Sequence, residues 1–341
     1  MIIKEKLAVL PMGYCINLIK IRGRQYCITA SEDRDGEMLL IDTQTKNVQK
    51  VAGLAGGVMS VLPIPEREGE FLAIQRFYPV FDSKEAEIVH CRLERLVGEV
   101  LPASVRTVAK LPYVHRIALT GSPGARKLVA ATLCQSKEYT DDWSQPGAVY
   151  EYCLNENLEV LDRKLLLEGI HKNHGMFQYQ KANGTYVLVS GTEGAWAIDA
   201  QGGTRKLCGE PVSDLCMFDV DGDDRDEMIC ITPFHGDTLK VLKKSGDGWD
   251  TLTEEKLDFG HAVWCGLCGG TPVILACSRG GERNTVLYRP FWNGGRLNMD
   301  SIHVDLDVGA SNILVQQQGD AVVLYAANHG RNETARYTIQ L

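Results

Sequence analysis

The chain has 341 residues, of which 44% are hydrophobic and 23% are charged, as is usual in soluble globular proteins. Its net charge of −8 argues against binding to nucleic acid, which requires clustered lysine and arginine. Residues 1–15 lack the apolar core of a signal peptide, and no stretch is apolar for long enough to span a membrane. The 11 cysteines lie mostly inside apolar runs, which indicates buried thiols in a reducing compartment. We therefore expect a cytoplasmic protein.

Short apolar runs separated by polar turns recur about seven times, at a period of roughly 42–55 residues. The clearest repeat is 206–250, where apolar runs at 215–218, 228–232 and 239–242 alternate with an acidic turn and a polar loop. Strands of this length at this period are typical of a β-propeller, in which each repeat is one four-stranded sheet. We predict an all-β, seven-bladed β-propeller of four-stranded antiparallel blades in a single domain. The predicted blades are 1–50, 51–103, 104–160, 161–205, 206–250, 251–298 and 299–341.

The first apolar run of each repeat begins where a propeller places residues beside its central channel. His115, His174 and His261 hold this position in the third, fourth and sixth repeats, and Asp214 holds it in the fifth. Loops on the same face would converge on these histidines, although they are distant in sequence. The loop residues selected on this ground are Tyr78, Tyr139, His235, Arg279, Arg283 and His329.

A single histidine near the start of a strand is usually structural, whereas three histidines in one repeated position favour a ligand or metal site. Imidazole binds divalent metals, so we predict that His115, His174 and His261 hold a divalent metal at the channel. His171 and His174 form an H-x-x-H pair, but outside a helix this spacing indicates zinc only weakly. The pair at 265 and 268 has no second C-x-x-C, which favours packing.

The turn at 219–227 carries four carboxylates, at Asp219, Asp221, Asp223 and Glu227, with Gly222 allowing the bend. Oxygen ligands at alternate positions of a loop are what Ca²⁺ requires, so the spacing predicts a structural calcium site. A solvated turn without an ion is the alternative interpretation. In either case the turn lies on the face opposite the histidines, away from any catalytic centre.

Several of these patterns resemble FG-GAP or VCBS repeats of bacterial propellers: the acidic turn, HRIAL (115–119), HKNHGMF (171–177), FGHAVWCG (259–266) and SRGGERNTVLY (278–288). The resemblance is closest to the propeller part of aldos-2-ulose dehydratases and looser to ulvan-type polysaccharide lyases. It implies an active site at the mouth of the channel, lined by His, Tyr and Arg and in some members holding a metal. Such a site would catalyse elimination across a C–C bond next to a carbonyl or carboxylate group. The residues it covers are His115, His174, His261, Arg279 and Arg283.

Two function hypotheses remain. The first is a carbohydrate-active lyase, dehydratase or epimerase that takes a proton next to a carbonyl group of a small sugar or oligosaccharide. The second is a non-catalytic propeller that binds a glycan or a protein, because a propeller fold alone implies no chemistry. Clustered histidines favour the first hypothesis, and exposed aromatic residues on a rim favour the second.

The sequence leaves the catalytic roles open. The base would be His115, His174 or His261, since imidazole titrates near neutral pH. If those three bind a metal, the base would be His235 or His329.

The remaining roles are electrophilic and acidic. Arg279, Arg283 or a bound metal would stabilise the enolate that forms when the proton leaves. Tyr78 or Tyr139 would protonate the departing oxygen.

Overall fold

The computed structural model describes residues 1–94, 97–182 and 184–341, which form 29 β-strands and two three-residue 3₁₀-helices, Pro79–Phe81 and His329–Arg331. The all-β prediction is confirmed, because the regular structure of the described residues is otherwise strand. None of the described helices is long and apolar enough to cross a lipid bilayer. The first strand, β1 (Ile2–Val9), belongs to the last sheet.

Residues 13–110 form two antiparallel units of four strands each. Their strands are β2 (Gly13–Ile21), β3 (Arg24–Ser31), β4 (Met38–Asp42), β5 (Val48–Ala52), β6 (Ser60–Pro63), β7 (Glu70–Gln75), β8 (Glu87–Leu93) and β9 (Val100–Lys110). The outer strands β5 and β9 pair in parallel, with Val51 opposite Leu101, so the two units form one eight-stranded sheet.

The next two sheets have five and four strands. The five-stranded sheet contains β10 (Val114–Thr120), β11 (Arg126–Thr132), β12 (Cys134–Ser136), β13 (Gln145–Leu154) and β14 (Val160–Ile170). The four-stranded sheet contains β15 (Gly175–Lys181), β16 (Gly184–Gly191), β17 (Gly194–Ile198) and β18 (Thr204–Cys208).

Two further four-stranded antiparallel sheets follow. The first contains β19 (Asp214–Phe218), β20 (Glu227–Thr232), β21 (Thr238–Ser245) and β22 (Gly248–Lys256). The second contains β23 (Gly260–Cys268), β24 (Thr271–Ser278), β25 (Thr285–Asn293) and β26 (Arg296–Asp305).

The last sheet joins the two ends of the chain. It contains β27 (Ala310–Gln318), β28 (Ala321–Asn328) and β29 (Glu333–Ile339), and β1 pairs antiparallel with β29 as its outer strand. Ile2 lies opposite Ile339 and Val9 opposite Glu333, so the pairing runs along the full length of β1.

Seven edge strands of the sheets face the middle of the molecule. In chain order these inner strands are β2, β6, β10, β15, β19, β23 and β27. Each contacts the next, and β27 contacts β2. Residues from all seven bound a central space of about 240 Å³, which we call the channel. The starts of the inner strands therefore lie close together.

Hydrophobic side chains pack between consecutive sheets. One cluster joins Leu275 and Leu287 to Leu324 and Tyr337 of the following sheet. Because both faces of a sheet are covered, its middle strands are apolar without alternation, as in β28, where every residue is buried. All 11 cysteines are free and nine are buried, which agrees with their predicted packing role.

Candidate active site

Bulges at the start of three inner strands direct polar side chains into the space at one end of the channel. The register shifts in β2, β10 and β23 fall at Tyr14, His115 and His261. A bulge turns a side chain out of the regular alternation of its strand. His174 directly precedes β15, and its backbone N–H donates to the Ser190 carbonyl at 3.0 Å. The three histidines predicted to share one position thus lie together.

The fifth repeat supplies a histidine from a loop. Its equivalent strand residue is Ser213, whose N–H donates to the Ile231 carbonyl at 2.8 Å, and not Asp214 as the sequence indicated. Asp214 lies one residue further on and lines the channel. The Ser213 hydroxyl accepts a hydrogen bond from the backbone N–H of His235 at 3.1 Å. Because serine is small, it leaves room for the His235 ring.

Four imidazole rings form the histidine cluster: His115, His174, His235 and His261. The ring centroid of His174 lies 4.7 Å from that of His115 and 5.0 Å from that of His235. The His261 centroid lies 5.1 Å from that of His174 and 5.2 Å from that of His235. One nitrogen from each of His174, His235 and His261 lies within 4.8 Å of the other two.

Nitrogens of the cluster lack protein partners. In the described part of the chain, each of the four rings has at least one buried nitrogen without a hydrogen bond, and both nitrogens of His174 are in this state. Buried polar atoms in native proteins are rarely left unpaired. Imidazole nitrogens in this state are suited to bind a metal ion or a polar ligand.

Tyr14 connects two members of the cluster. Its Oη lies 3.2 Å from Nε2 of His115 and 3.5 Å from Nε2 of His261. Burial raises the pKa of Tyr14 to about 12, so the hydroxyl is neutral and can donate to one ring while it accepts from the other. Tyr14 was not among the site residues predicted from the sequence, although Tyr14 begins the first repeat in the position that histidine holds in three others.

Charged residues border the cluster on one side. Arg279 Nη1 lies 3.5 Å from His261 Nε2, and Arg279 Nη2 lies 3.6 Å from Glu32 Oε1. The same Glu32 oxygen lies 2.9 Å from His329 Nε2. Glu32 thus holds both Arg279 and His329, and His329 contacts the carboxylate rather than the histidine cluster.

The four imidazoles are held in their neutral form. Burial, reinforced by nearby guanidinium groups, lowers the pKa of His115 and His261 well below its usual value. Burial and the neighbouring His115 do the same to the pKa of His174. Burial followed by Arg279 lowers the pKa of His235 to about 3. Neutral imidazole is the form that binds metals and accepts protons.

A cavity of about 490 Å³ opens over the histidine cluster and is of a size that suits a small ligand. Besides the cluster and Tyr14, its lining includes Glu32, Phe77, Tyr78, Phe81, Phe259 and Arg279. Tyr78, selected from the sequence, thus lies in this cavity, with the guanidinium carbon of Arg34 3.7 Å from its ring centroid.

An aromatic wall made of Phe81, Trp143 and Phe234 leads away from the cluster. Phe234 stacks on His235 with a centroid distance of 3.9 Å. The Trp143 centroid lies 6.0 Å from that of Phe234 and 5.2 Å from that of Phe81. Of the three, Phe81 is the one that lines the cavity, and Trp143 and Phe234 continue the aromatic surface beyond it.

Three selected residues, Tyr139, Arg283 and His329, lie outside this cavity. Tyr139 is 67% exposed and is not among the lining residues. Arg283 is ion-paired with Asp307 and is likewise absent from the lining. His171, the first histidine of the H-x-x-H pair, contacts Glu193 at 2.7 Å.

The acidic turn gathers three of its four carboxylates. Oxygens of Asp219, Asp221 and Glu227 lie within 4.8 Å of one another, and those of Asp221 and Glu227 are buried. Lys243 reaches into the group: its Nζ contacts Asp221 and lies 2.8 Å from Asp223 and 3.5 Å from Glu227. An ammonium group thus occupies the space in which the sequence predicted Ca²⁺.

No family model and no curated protein matches the chain, so the FG-GAP resemblance gains no support from these comparisons. A solved structure of a putative 6-phosphogluconolactonase from Bacteroides uniformis ATCC 8492 is similar, with a TM-score of 0.52 and 12% sequence identity. The similarity covers 93% of this chain and 93% of the other. At this identity it concerns the fold, and it extends over nearly the whole chain.

Proposed function

We propose that the histidine cluster is the active site of a metal-dependent lyase, dehydratase or epimerase that acts on a small sugar derivative. One observation carries the proposal: four neutral imidazoles from separate repeats, with unpartnered nitrogens, line a single cavity of about 490 Å³. A structural role would leave such nitrogens paired, because unpaired buried polar groups are costly.

We further propose that the chain is a closed seven-bladed β-propeller. Support comes from the seven inner strands, each of which contacts the next, and from the pairing of β1 with β29, which joins the last sheet to the start of the chain. In such a ring the inner strands place one residue each at the same end of the channel, which accounts for the shared cavity.

The proposed metal ligands are His174, His235 and His261, whose nitrogens lie within 4.8 Å of one another. Three imidazoles that leave a coordination position open are typical of catalytic sites for Zn²⁺ and related divalent metals. When bound, such a metal polarises a substrate carbonyl as a Lewis acid.

His115 is the proposed base, because it belongs to the cluster but lies outside the three-nitrogen group. It takes the proton from the carbon next to the carbonyl, and Arg279 stabilises the negative charge that develops on the carbonyl oxygen. In an elimination the departing hydroxyl takes a proton from Tyr78. In an epimerisation no group leaves: His115 keeps the proton it has taken, and Tyr78 as the acid donates a proton to the opposite face of the carbon.

The proposal is tested by metal analysis and by a set of alanine variants. We expect one divalent transition metal per chain, lost in His174→Ala, His235→Ala and His261→Ala and retained in His115→Ala. His115→Ala should instead abolish formation of an unsaturated or epimerised product from a panel of keto-sugars and sugar acids. His303→Ala, at an exposed position on β26, is the matched control and should change neither quantity. Intact protein with neither metal nor turnover would contradict the proposal.

A non-catalytic glycan-binding propeller is the second candidate, and the aromatic wall favours it. Phe81 lines the cavity, and Trp143 and Phe234 extend this aromatic surface away from it. Sugar-binding proteins use aromatic side chains of this kind to contact sugar rings. Glycan binding that survives removal of the metal, without turnover of any bound sugar, would support this candidate over the enzyme.

For the acidic turn we propose a Ca²⁺ site in competition with Lys243. Asp221 and Glu227 each have one buried oxygen without a hydrogen-bond partner among the described residues, which is consistent with a missing cation. The Lys243 side chain is 24% exposed, so its ammonium can leave the group when an ion enters.

A further inference from the structure

Lys137 is a buried cation that no carboxylate pairs at short range. Lys137 is 6% exposed. Its Nζ donates a hydrogen bond to the Thr140 carbonyl at 2.7 Å and lies 3.3 Å from the Trp143 ring centroid. The nearby Asp142 carboxylate is already engaged by the backbone N–H groups of Glu138 and Ser144. In the described chain no carboxylate oxygen lies within 4.0 Å of this ammonium. Its close partner is the Trp143 ring, through a cation–π contact, and a buried ammonium without a carboxylate remains costly.

Lys172 brings a second cation to the same ring. Its Nζ lies 5.2 Å from the centroid of Trp143 and 5.2 Å from that of Phe234. Lys172 lies in the loop between β14 and His174, and its backbone φ of 51° is in the left-handed region. Among the described residues, Lys172 also forms no ion pair. Two like charges around one aromatic ring repel each other unless an anion joins them.

The two lysines lie next to the proposed catalytic centre. Phe234 contacts Trp143 on one side and stacks on His235 on the other, and its centroid lies 5.6 Å from that of His174. One aromatic ring therefore separates Lys172 from the histidine cluster. The chain as a whole carries a net charge of −8. Two neighbouring lysines without carboxylate partners therefore differ in charge from the protein as a whole.

We infer that Lys137, Lys172 and Trp143 form a subsite for the anionic group of the substrate, a carboxylate or a phosphate ester carried by a sugar. The sugar ring lies along the aromatic wall, so that its reacting carbons reach the histidine cluster. That the ligand is a substrate rests on the proposed function, whereas anion binding at the two lysines does not need the metal. Lysine ammonium groups bind both anions as point charges.

The test compares three sugars by calorimetry on chelated full-length protein: glucose, glucuronate and glucose 6-phosphate. We expect at least one charged sugar to bind about tenfold or more tightly than glucose. Lys172→Met should abolish most of that difference, and Lys137→Met should do the same. A tighter glucuronate indicates a carboxylate, and a tighter glucose 6-phosphate indicates a phosphate ester.

Lys164→Met is the matched control, because it removes the same charge from an exposed position on β14. It should leave all three affinities unchanged. If Lys137→Met does not fold, Lys172→Met still decides the question, since Lys172 is only partly buried. Equal binding of charged and neutral sugars, no binding of any of them, or an unchanged preference in Lys172→Met would overturn the inference. Because the protein is chelated, none of these results depends on the metal ligands.

Discussion

Tyr14 is the residue on which the orientation of two imidazoles depends. Its hydroxyl lies within hydrogen-bond distance of Nε2 in both His115 and His261, and all three side chains are buried. Tyr14→Phe would leave Nε2 of His115 without a partner and Nε2 of His261 with the Arg279 contact alone, while removing a single oxygen atom. We expect the free energy of unfolding to fall by about 1–3 kcal/mol, measured by urea denaturation of the chelated protein.

Tyr152→Phe is the matched control for this measurement. Tyr152 is also buried, at 3% exposure, but its hydroxyl has no hydrogen-bond partner in the part of the chain that the structure describes. Removing an unsatisfied buried hydroxyl should be neutral or stabilising. Equal effects of the two substitutions would show that Tyr14 makes no productive contact with the histidines.

Single residues were predictable from the sequence where the repeat fixes their place. His115, His174 and His261 could be selected because each begins an inner strand, and the bulges that aim the side chains follow the same repeat. Tyr139 and Arg283 were selected from loops, whose path depends on contacts that sequence does not specify. Their exposure and the Asp307 ion pair keep them out of the cavity.

At the scale of the element, the acidic turn links a hairpin to the strand beside it. Lys243 belongs to β21, and its ammonium neutralises carboxylates of the loop that precedes β20. Although burial acts in the opposite direction, the hydrogen bonds that Lys243 donates to Asp221 and Asp223 raise its pKa. The spacing of acids in a turn predicts a cation, but it cannot show that a neighbouring strand supplies one.

Lys243→Met tests whether the turn can hold an ion. Without the ammonium, the buried carboxylates of Asp221 and Glu227 lose their partner, so the variant should be less stable by about 3–5 kcal/mol in chelator. Added Ca²⁺ should then raise its melting temperature, and the shift should exceed that of the unmodified chain, in which the ion must displace Lys243.

Lys244→Met removes the adjacent charge and serves as the control, because its Nζ donates to the Asp247 carbonyl and lies 5.4 Å from the Trp249 ring centroid, away from the acidic turn. It should melt like the unmodified chain with and without the ion. A Lys243→Met variant that does not respond to Ca²⁺ would contradict the proposed site.

At the scale of the whole molecule, the two ends of the chain meet in one sheet. The sequence predicted the period and the strands, because alternating apolar runs and turns are local signals. The first predicted blade consists of residues 1–50, whereas in the structure β1 pairs with β29 from the opposite end of the chain. Edge pairing between distant segments leaves no local pattern, since it depends on which edge the completed fold leaves open.

The closure of the proposed ring can be measured on β1 itself. Leu7 is 6% exposed and packs in a cluster with Ile16, Ile41 and Tyr325, so it touches both the first unit and the last sheet. Leu7→Ala should therefore lower the free energy of unfolding by about 2–5 kcal/mol, as truncation in a core does. Urea denaturation followed by tryptophan fluorescence and by circular dichroism measures the change.

Val9→Ala is the matched substitution on the same strand, at a residue that is 63% exposed, and it should alter stability by no more than about 0.5 kcal/mol. If β1 closes the ring, Leu7→Ala should shift the unfolding transitions measured by fluorescence and by circular dichroism to the same lower urea concentration. The reason is that weaker packing of β1 destabilises every sheet that depends on the closed ring. Small and equal effects of the two substitutions would mean that β1 is not docked in solution. The last sheet would then end at β29, and the proposal of a closed seven-bladed ring would fail with it.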